Sequence, residues 1–333
     1  MGSKTGKGGL VAVAALVFAS WAAGPAAGQA LPKWRTGIVF VKADSVFHQL
    51  IGKEKGFHQA DGLDVEFVVL PGDTDVMKAI VAGATETVEI TPASPLVAIE
   101  KGAKLKIVAS FMPGLNYVLY SKKDIKDLKD LYGRTVAVTA PNSFPELLLR
   151  SAMQRQGLDP TKVHLVQAGG DPDRVKALLA GKVDAAVAAM EFLRQVERAD
   201  RKLLVDFAEV LPEWTRNVVV TTDQVIKERP DHLRRFLLAK ARGIRYTLEN
   251  RDDTITIMAR VSKQERSEVE WVYDWFVRRK LMQPNGYVSP AALNWMQELN
   301  VRLGRQSKML PMEQIATWDF QKQITAELGE YKW

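Results

Sequence analysis

Between residues 37 and 222, short β-branched runs alternate with stretches that read as helices, and no glycine- or serine-rich linker interrupts them. This is the grammar of sheets with helices on their faces. The runs fall into two sets. In the first, GIVFV (37–41) precedes a helix over 45–53, and LDVEFVVL (63–70) precedes one that starts at Asp73 or Thr74. ETVEI (86–90) meets Thr91-Pro92, with Ser94-Pro95 as a second helix start, and LKIVAS (105–110) and YVLYS (117–121) follow. In the second set RTVAVT (134–139) leads to a helix start at Ser143, VHLVQ (163–167) to one at Asp171-Pro172, and VDAAVA (183–188) to Met190-Glu191-Phe192. NVVVTT (217–222) ends the alternation. From Pro230 onward the pattern is that of amphipathic helices, which carry Trp271, Trp275, Trp295, Trp318 and Trp333.

A second set that returns without a flexible tether reads as one lobe inserted within another. The expected division is lobe 1 over residues 31–120 and 213–333 and lobe 2 over residues 121–212. The chain would cross near Tyr120 to Lys122 and return near Pro212 to Asn217. Two crossings make a hinge, and a cleft between two such sheets gathers the helix starts of both. The start at Ser143 is the best formed. Pro145 sits in the first turn and Glu146 three residues beyond Ser143, the spacing of a capping box, and Gly157 stops the helix. Such a junction either only stabilises the fold or offers N–H groups to a ligand.

The 333 residues, 47% hydrophobic and 26% charged, suffice for two cores. Lys4 and Lys7, the apolar run LVAVAALVFASWAA (10–23) and small residues through Ala30 have the layout of a secretory signal peptide over residues 1–30. No other run approaches the roughly 18 apolar residues of a membrane helix. There is no cysteine, which removes thiol nucleophiles, cysteine-ligated metals and a lipid anchor, and leaves stability to the cores. Without Lys4 and Lys7 the formal charge falls from +7 to +5, interspersed with acidic residues, which argues against a nucleic-acid track. The four histidines show neither HExxH nor HxH spacing, and GxSxG and Walker motifs are absent. No metal or other cofactor is expected.

The passages DLYGRTVAVTAPNS, LLRSAMQRQGLDPTKVHLVQAGG and DRVKALLAGKVDAAVAAMEF resemble the second lobe of periplasmic solute-binding proteins of ABC importers, in the group for aliphatic sulfonates, taurine, nitrate and pyrimidine precursors. MKAIVAGATETVEITPASPLVAIEKGAKLKIVAS and ERPDHLRRFLLAKARGIRYTLENRDDTI are similar to the matching parts of lobe 1. The resemblance spans residues 35–260 and fades in the C-terminal helices. Glu86 stands where that family usually has Asp, and Glu191-Phe192 where it usually has Glu-Pro.

The resemblance implies a bilobal type II periplasmic-binding fold with a helical C-terminal extension. It also implies a periplasmic location, a small-molecule ligand, an inner-membrane ABC permease as partner, and a monomer that binds no nucleic acid. Ligand groups are then expected at Asp44, Ser45 and Phe47, at Thr91 and Ser94, at Asn142, Ser143 and Phe144, at Glu191, and at Trp214 and Arg216. Each has a structural alternative. Asp44 and Ser45 would also cap a helix, Thr91 and Ser94 would precede prolines, Phe144 and Trp214 would pack the hinge, and Arg216 would serve a surface ion pair.

A helix N-terminus contributes only about 0.3–1 kcal/mol to an anionic contact, whereas micromolar binding needs about 8 kcal/mol. A bare anion therefore needs Arg216 or many hydroxyls, while Asp44 and Glu191 favour an amine, taurine or an aminopyrimidine stacked on Phe144 and Trp214. Two other readings remain: an enzyme using Asp44, Glu191 and His48 in acid–base chemistry, and a ligand-responsive sensor that binds a protein partner.

Overall fold

The computed structural model describes residue 2, residues 30–39 and residues 47–332, with the side chains of Phe47 and His48 left out. The expected leader thus lies almost wholly outside the described residues, as does the turn holding Asp44 and Ser45. From Lys33 the chain forms β1 (Lys33–Val39), α1 (Phe47–Glu54), α2 (Phe57–Ala60), β2 (Asp64–Leu70), α3 (Asp73–Val81), β3 (Thr87–Ile90), α4 (Ala93–Glu100) and β4 (Leu105–Met112). It then crosses and builds β5 (Tyr117–Ser121), β6 (Thr135–Val138), α5 (Phe144–Arg155), β7 (His164–Gln167), α6 (Asp171–Leu179), β8 (Ala185–Ala189), α7 (Leu193–Arg198), β9 (Lys202–Asp206) and α8 (Phe207–Val210). After the return come β10 (Asn217–Thr222), α9 (Asp223–Glu228), α10 (Pro230–Glu249), α11 (Arg251–Ser262), α12 (Arg266–Arg278), α13 (Pro290–Arg302), α14 (Met312–Ile315) and α15 (Asp319–Leu328).

The strands make two five-stranded sheets, in the orders β2-β1-β3-β10-β4 and β7-β6-β8-β5-β9. Each is mixed. β10 runs antiparallel to β3 and β4, and β5 runs antiparallel to β8 and β9, while the remaining pairs are parallel. These are the two α/β lobes expected, with one shift. YVLYS pairs with β8 and β9, so it belongs to the second sheet and the first crossing is at residues 113–116, ahead of Tyr120. β9 was not anticipated, because KLLVD is short and hemmed by charge.

Period-two alternation sorts the buried strands between two cores. Ala186 and Ala188 of β8 face one apolar cluster with Val175 and Leu178 of α6; Ala185, Val187 and Ala189 face the other with Leu147 and Leu148 of α5. Small side chains suit a strand with a helix pressed on each face. Both clusters draw on both sheets, and all of this lies within one compact unit, Pro32–Trp333. The open edge of β4 is covered at Ile107, whose carbonyl accepts from Thr317 N–H at 3.0 Å.

The helix start at Ser143 differs from the box expected. Ser143 is the N-cap residue, but its Oγ accepts from Ala140 N–H at 3.2 Å, and Glu146 accepts from Asn142 N–H at 2.6 Å. Both carboxylate and hydroxyl are thereby drawn into the turn before the helix. Ser94 is likewise no cap: α4 begins at Ala93, after Pro92.

The first crossing depends on Gly114. A Cβ placed there would lie 2.5 Å from Leu281 Cα and 2.7 Å from Leu281 Cβ, because the two backbones touch and Gly114 N–H donates to Leu281 O at 3.0 Å. Gly114→Ala should cost about 1–3 kcal/mol, the usual cost of overpacking. Urea unfolding would test this, and a loss under about 0.5 kcal/mol would mean that the crossing has slack.

Candidate functional site

A carboxylate in a strand buried on both faces needs a partner. Glu89 of β3, 5% exposed, pairs with Lys240 of α10 and accepts from Gln49 Nε2 of α1 at 2.7 Å. Lys240 is itself 1% exposed and lies 5.7 and 5.4 Å from the ring centroids of Phe111 and Phe236. Burial pulls the lysine pKa below its ordinary value, and Glu89 opposes that pull. Behind Phe236, His58 stacks at 5.7 Å and meets the edge of Phe67 at 6.3 Å, with neither ring nitrogen hydrogen-bonded among the described residues. Burial first, and Lys240 second, hold its pKa down at about 3. His58 is therefore neutral.

Gln49 and Glu89 also wall a cavity of about 20 Å³ with Asp73, Arg216 and Asn217, room for a water-sized group. Asp73 is the first residue of α3. Its pKa is raised by burial and held back by the nearby guanidinium groups of Arg216 and Arg305. Arg305, beyond α13, donates to Asn300 Oδ1 at 2.8 Å and approaches Ser94 Oγ at 3.5 Å. Burial lowers its pKa, while Asp73 and Glu146, from opposite lobes, raise it. A carboxylate from each lobe thus shares this one cation.

Lobe 2 meets the cavity through an aromatic corner. Tyr117 of β5 and Phe144 of α5 lie 4.8 Å apart at an interplanar angle of 70°, and the Arg216 guanidinium sits in the angle, 5.0 and 4.3 Å from the two centroids. Tyr117 is fixed from behind, its hydroxyl donating to Asp171 Oδ2 at 2.8 Å. Asp171, first residue of α6, pairs in turn with Arg174. Arg174, 1% exposed, also donates to Val187 O, Thr139 Oγ1 and Gly169 O, each at 2.6 Å. Burial brings its pKa down to about 10, so it stays charged at neutral pH. Arg216 is held quite differently. Its Nη1 donates to Asn217 Oδ1 at 2.6 Å, and its Nε is buried with no hydrogen-bond partner among the described residues.

Of the residues expected from sequence, the structure brings Phe144 and Arg216 together at this corner. Asp44 and Ser45, and the side chain of Phe47, lie outside the described residues. Thr91 is fully buried and its hydroxyl has no hydrogen-bond partner among the described residues. Ser94 lies in the first turn of α4 beside Arg305. Asn142 is exposed, in the left-handed conformation at φ 59°, just before the N-cap Ser143. Glu191 sits in a single 3-10 turn after β8, half-buried. Trp214 is 3% exposed and packs between Phe144, at 5.7 Å, and Trp295 of α13, also at 5.7 Å. These ring contacts are of the kind the packing alternative describes for Trp214.

Sequence reasoning did not single out Gln49, Asp73, Glu89, Tyr117 or Asn217 as site residues. A signal existed for two of them: Glu89 is a charge inside the buried run TVEI, and Asp73 was a helix start. Among the described residues no cluster of His, Cys, Asp or Glu could hold a metal ion, and no helix is long and apolar enough to cross a membrane.

Residues 46–254 match the family model described as NMT1/THI5 like. Among curated proteins, the chain is 24% identical to a formylaminopyrimidine-binding protein of Halalkalibacterium halodurans, over 70% of this chain and 73% of that one. It is 23% identical to riboflavin-binding protein RibY of Chloroflexus aurantiacus, over 62% of this chain and 60% of that one. Among solved structures it superposes on the alkanesulfonate-binding protein SsuA from Xanthomonas axonopodis pv. citri, bound to MOPS, with TM-score 0.72 at 16% identity, covering 87% of this chain and all of the other. The fold is the type II periplasmic-binding fold. It is also found in the desulfurization enzyme DSZB, with TM-score 0.65 at 14% identity over 89% of this chain and 99% of the enzyme.

Proposed function

Since this chain belongs to the NMT1/THI5-like family, we propose that it is the solute-binding component of an ABC importer, exported to the periplasm by residues 1–30 and acting as a monomer. It captures a small nitrogen-containing organic solute of the aminopyrimidine kind between its lobes and delivers it to an inner-membrane permease. The lobes close about the crossings at residues 113–116 and 211–216.

One observation carries the choice of ligand class. Three of the helix starts that would otherwise offer N–H groups to an anion already carry a carboxylate of the chain: Asp73 on α3, Glu146 on α5 and Asp171 on α6. Asp73 and Glu89 line the cavity itself. A bare oxyanion would approach Asp73 on the cavity wall, while Glu146, Asp171 and Glu89 are already paired with Arg150, Arg174 and Lys240, and would gain only about 0.3–1 kcal/mol per helix end. A ring bearing amino groups and ring nitrogens can instead donate to carboxylates, accept from Gln49 or Asn217, and stack against Phe144 or Tyr117. The two curated relatives, named for a formylaminopyrimidine and for riboflavin, are consistent with that chemistry.

Asp44, Ser45, Phe47, Thr91, Ser94, Asn142, Ser143 and Glu191 remain proposed contacts around this centre.

A thermal-shift screen of the purified protein against 4-aminopyrimidine, riboflavin, taurine, nitrate and MOPS tests the reading. An aminopyrimidine at about 100 times its Kd should add roughly 2.7 kcal/mol of stability. Stabilisation by nitrate or MOPS, with none by the heterocycles, would replace this reading with an anion carrier.

A further inference from the structure

Arg174 and Arg216 both flank Tyr117, one through Asp171 and the other on its ring, and their surroundings differ in kind. Arg174 is saturated: Nε, Nη1 and Nη2 all meet acceptors, and the side chain is sealed in. It is a structural cation. Arg216 makes a single hydrogen bond from its guanidinium among the described residues, leaves Nε buried and unpartnered, and otherwise rests on two ring faces beside the charge of Asp73. Of the five N–H donors of a guanidinium, Nε is the one buried unmet among the described residues, at a cost, while Arg216 as a whole is half-buried. The aromatic corner beneath it is prebuilt without its help, because Tyr117 is anchored through Asp171 to Arg174.

We propose that Arg216 is an internal occupant of the ligand slot: its planar guanidinium fills the corner of Tyr117 and Phe144 that a ligand ring takes, and binding displaces it. The slot is thereby specified by the group now in it, a flat, delocalised, donor-rich nitrogen function that stacks on aromatic faces and carries enough positive charge to sit beside Asp73. This rests on the preceding reading for the existence of a ligand and goes further in two respects. It assigns the ligand an amidine-like edge, and it makes Arg216 a competitor of that ligand in place of a contact to it. Displacement also frees a cation to move toward Asp73 and Glu89 on the same cavity wall, so the exchange need not leave Arg216 unpaired.

Removing the side chain should leave a corner that a free guanidinium compound can refill. The probes are methylguanidinium chloride, sodium chloride at equal concentration, and 4-aminopyrimidine. They are applied to the wild-type protein, Arg216→Ala, and the double variant Arg216→Ala/Phe144→Ala, each first checked for a cooperative unfolding transition. Arg216→Gln stands in should the alanine variant not fold. Methylguanidinium at roughly 100 times its Kd should raise the melting temperature of Arg216→Ala by about 5 °C. The wild type and the double variant should not respond, and sodium chloride should move none of them.

Where 4-aminopyrimidine binds the wild type, it should bind Arg216→Ala at least about tenfold more tightly. Equal responses of wild type and Arg216→Ala to methylguanidinium, or no response from either, would overturn the proposal. So would a tenfold loss of aminopyrimidine affinity in Arg216→Ala, which would make Arg216 a direct contact. Failure of every heterocycle to bind the wild type, with rescue of Arg216→Ala intact, would count against the aminopyrimidine reading alone.

Discussion

Lys240→Met should destabilise the protein by about 3–5 kcal/mol, because it removes one member of a buried ion pair, Glu89–Lys240. The substituted side chain fits the aliphatic stem of lysine between Phe111 and Phe236, so the loss is electrostatic and not steric. The double variant Lys240→Met/Glu89→Gln removes both charges and keeps an acceptor for Gln49. It should recover most of the loss, to within about 1–2 kcal/mol of wild type, since buried pairs contribute little net stability when removed together. Urea unfolding at neutral pH measures both. A single-variant loss under about 1 kcal/mol, or a double variant no better than the single, would show that Glu89 and Lys240 do not depend on each other.

The second large effect is acid lability set by one neutral histidine. Folded His58 stays unprotonated down to about pH 3, while in the unfolded chain it takes a proton near its ordinary value of 6.5. Between those limits the unfolded state binds the extra proton. Stability contributed by His58 is therefore full above pH 6.5 and falls by about 1.4 kcal/mol per pH unit below it, about 2.7 kcal/mol by pH 4.5. His58→Phe keeps a ring against Phe236 and removes the titration. The difference between the two unfolding-versus-pH curves, in which the carboxylates common to both cancel, should show this slope and level off above pH 6.5. Parallel curves would mean that His58 protonates in the folded state without penalty.

Both effects arise from residues that sequence patterning ranks poorly. Lys240 falls in LLAKARGI, where a lysine reads as the polar side of an amphipathic helix, and the segment gives no sign that the opposing strand supplies a carboxylate. His58 reads as a surface histidine in GFHQADG. The strand and helix order was legible because β-branched runs and capping residues are local signals. The sheet to which YVLYS belongs was not, since five buried residues pair equally well in either lobe and the choice is made by partners distant in sequence. Phe144 and Arg216 could be picked out as types of residue at expected turns. Whether an arginine reaches solvent, a ligand or a neighbouring ring depends on torsions beyond Cβ, which spacing does not encode. Trp214 shows the same limit. Its place beside a crossing was readable, but its burial against Trp295 required the C-terminal helices, where the pattern has lost its strand punctuation.

The position of β10 governs the order in which a chain threaded from its N-terminus can acquire structure. Among the described strands β4 joins the first sheet only through β10, which lies between it and β3, so a nascent or translocating chain that has delivered β1 to β4 still lacks the strand that unites them. The second sheet has no such gap: its five strands all come from Tyr117–Asp206, and it can close while the first is still in two pieces. Pairing Val220 with Ile107 closes a loop that contains that whole lobe, a contact that is costly in chain entropy and therefore late. The inserted lobe is thus expected to close before the surrounding one, whose five-stranded sheet is completed only when Asn217–Thr222 takes its place between β3 and β4.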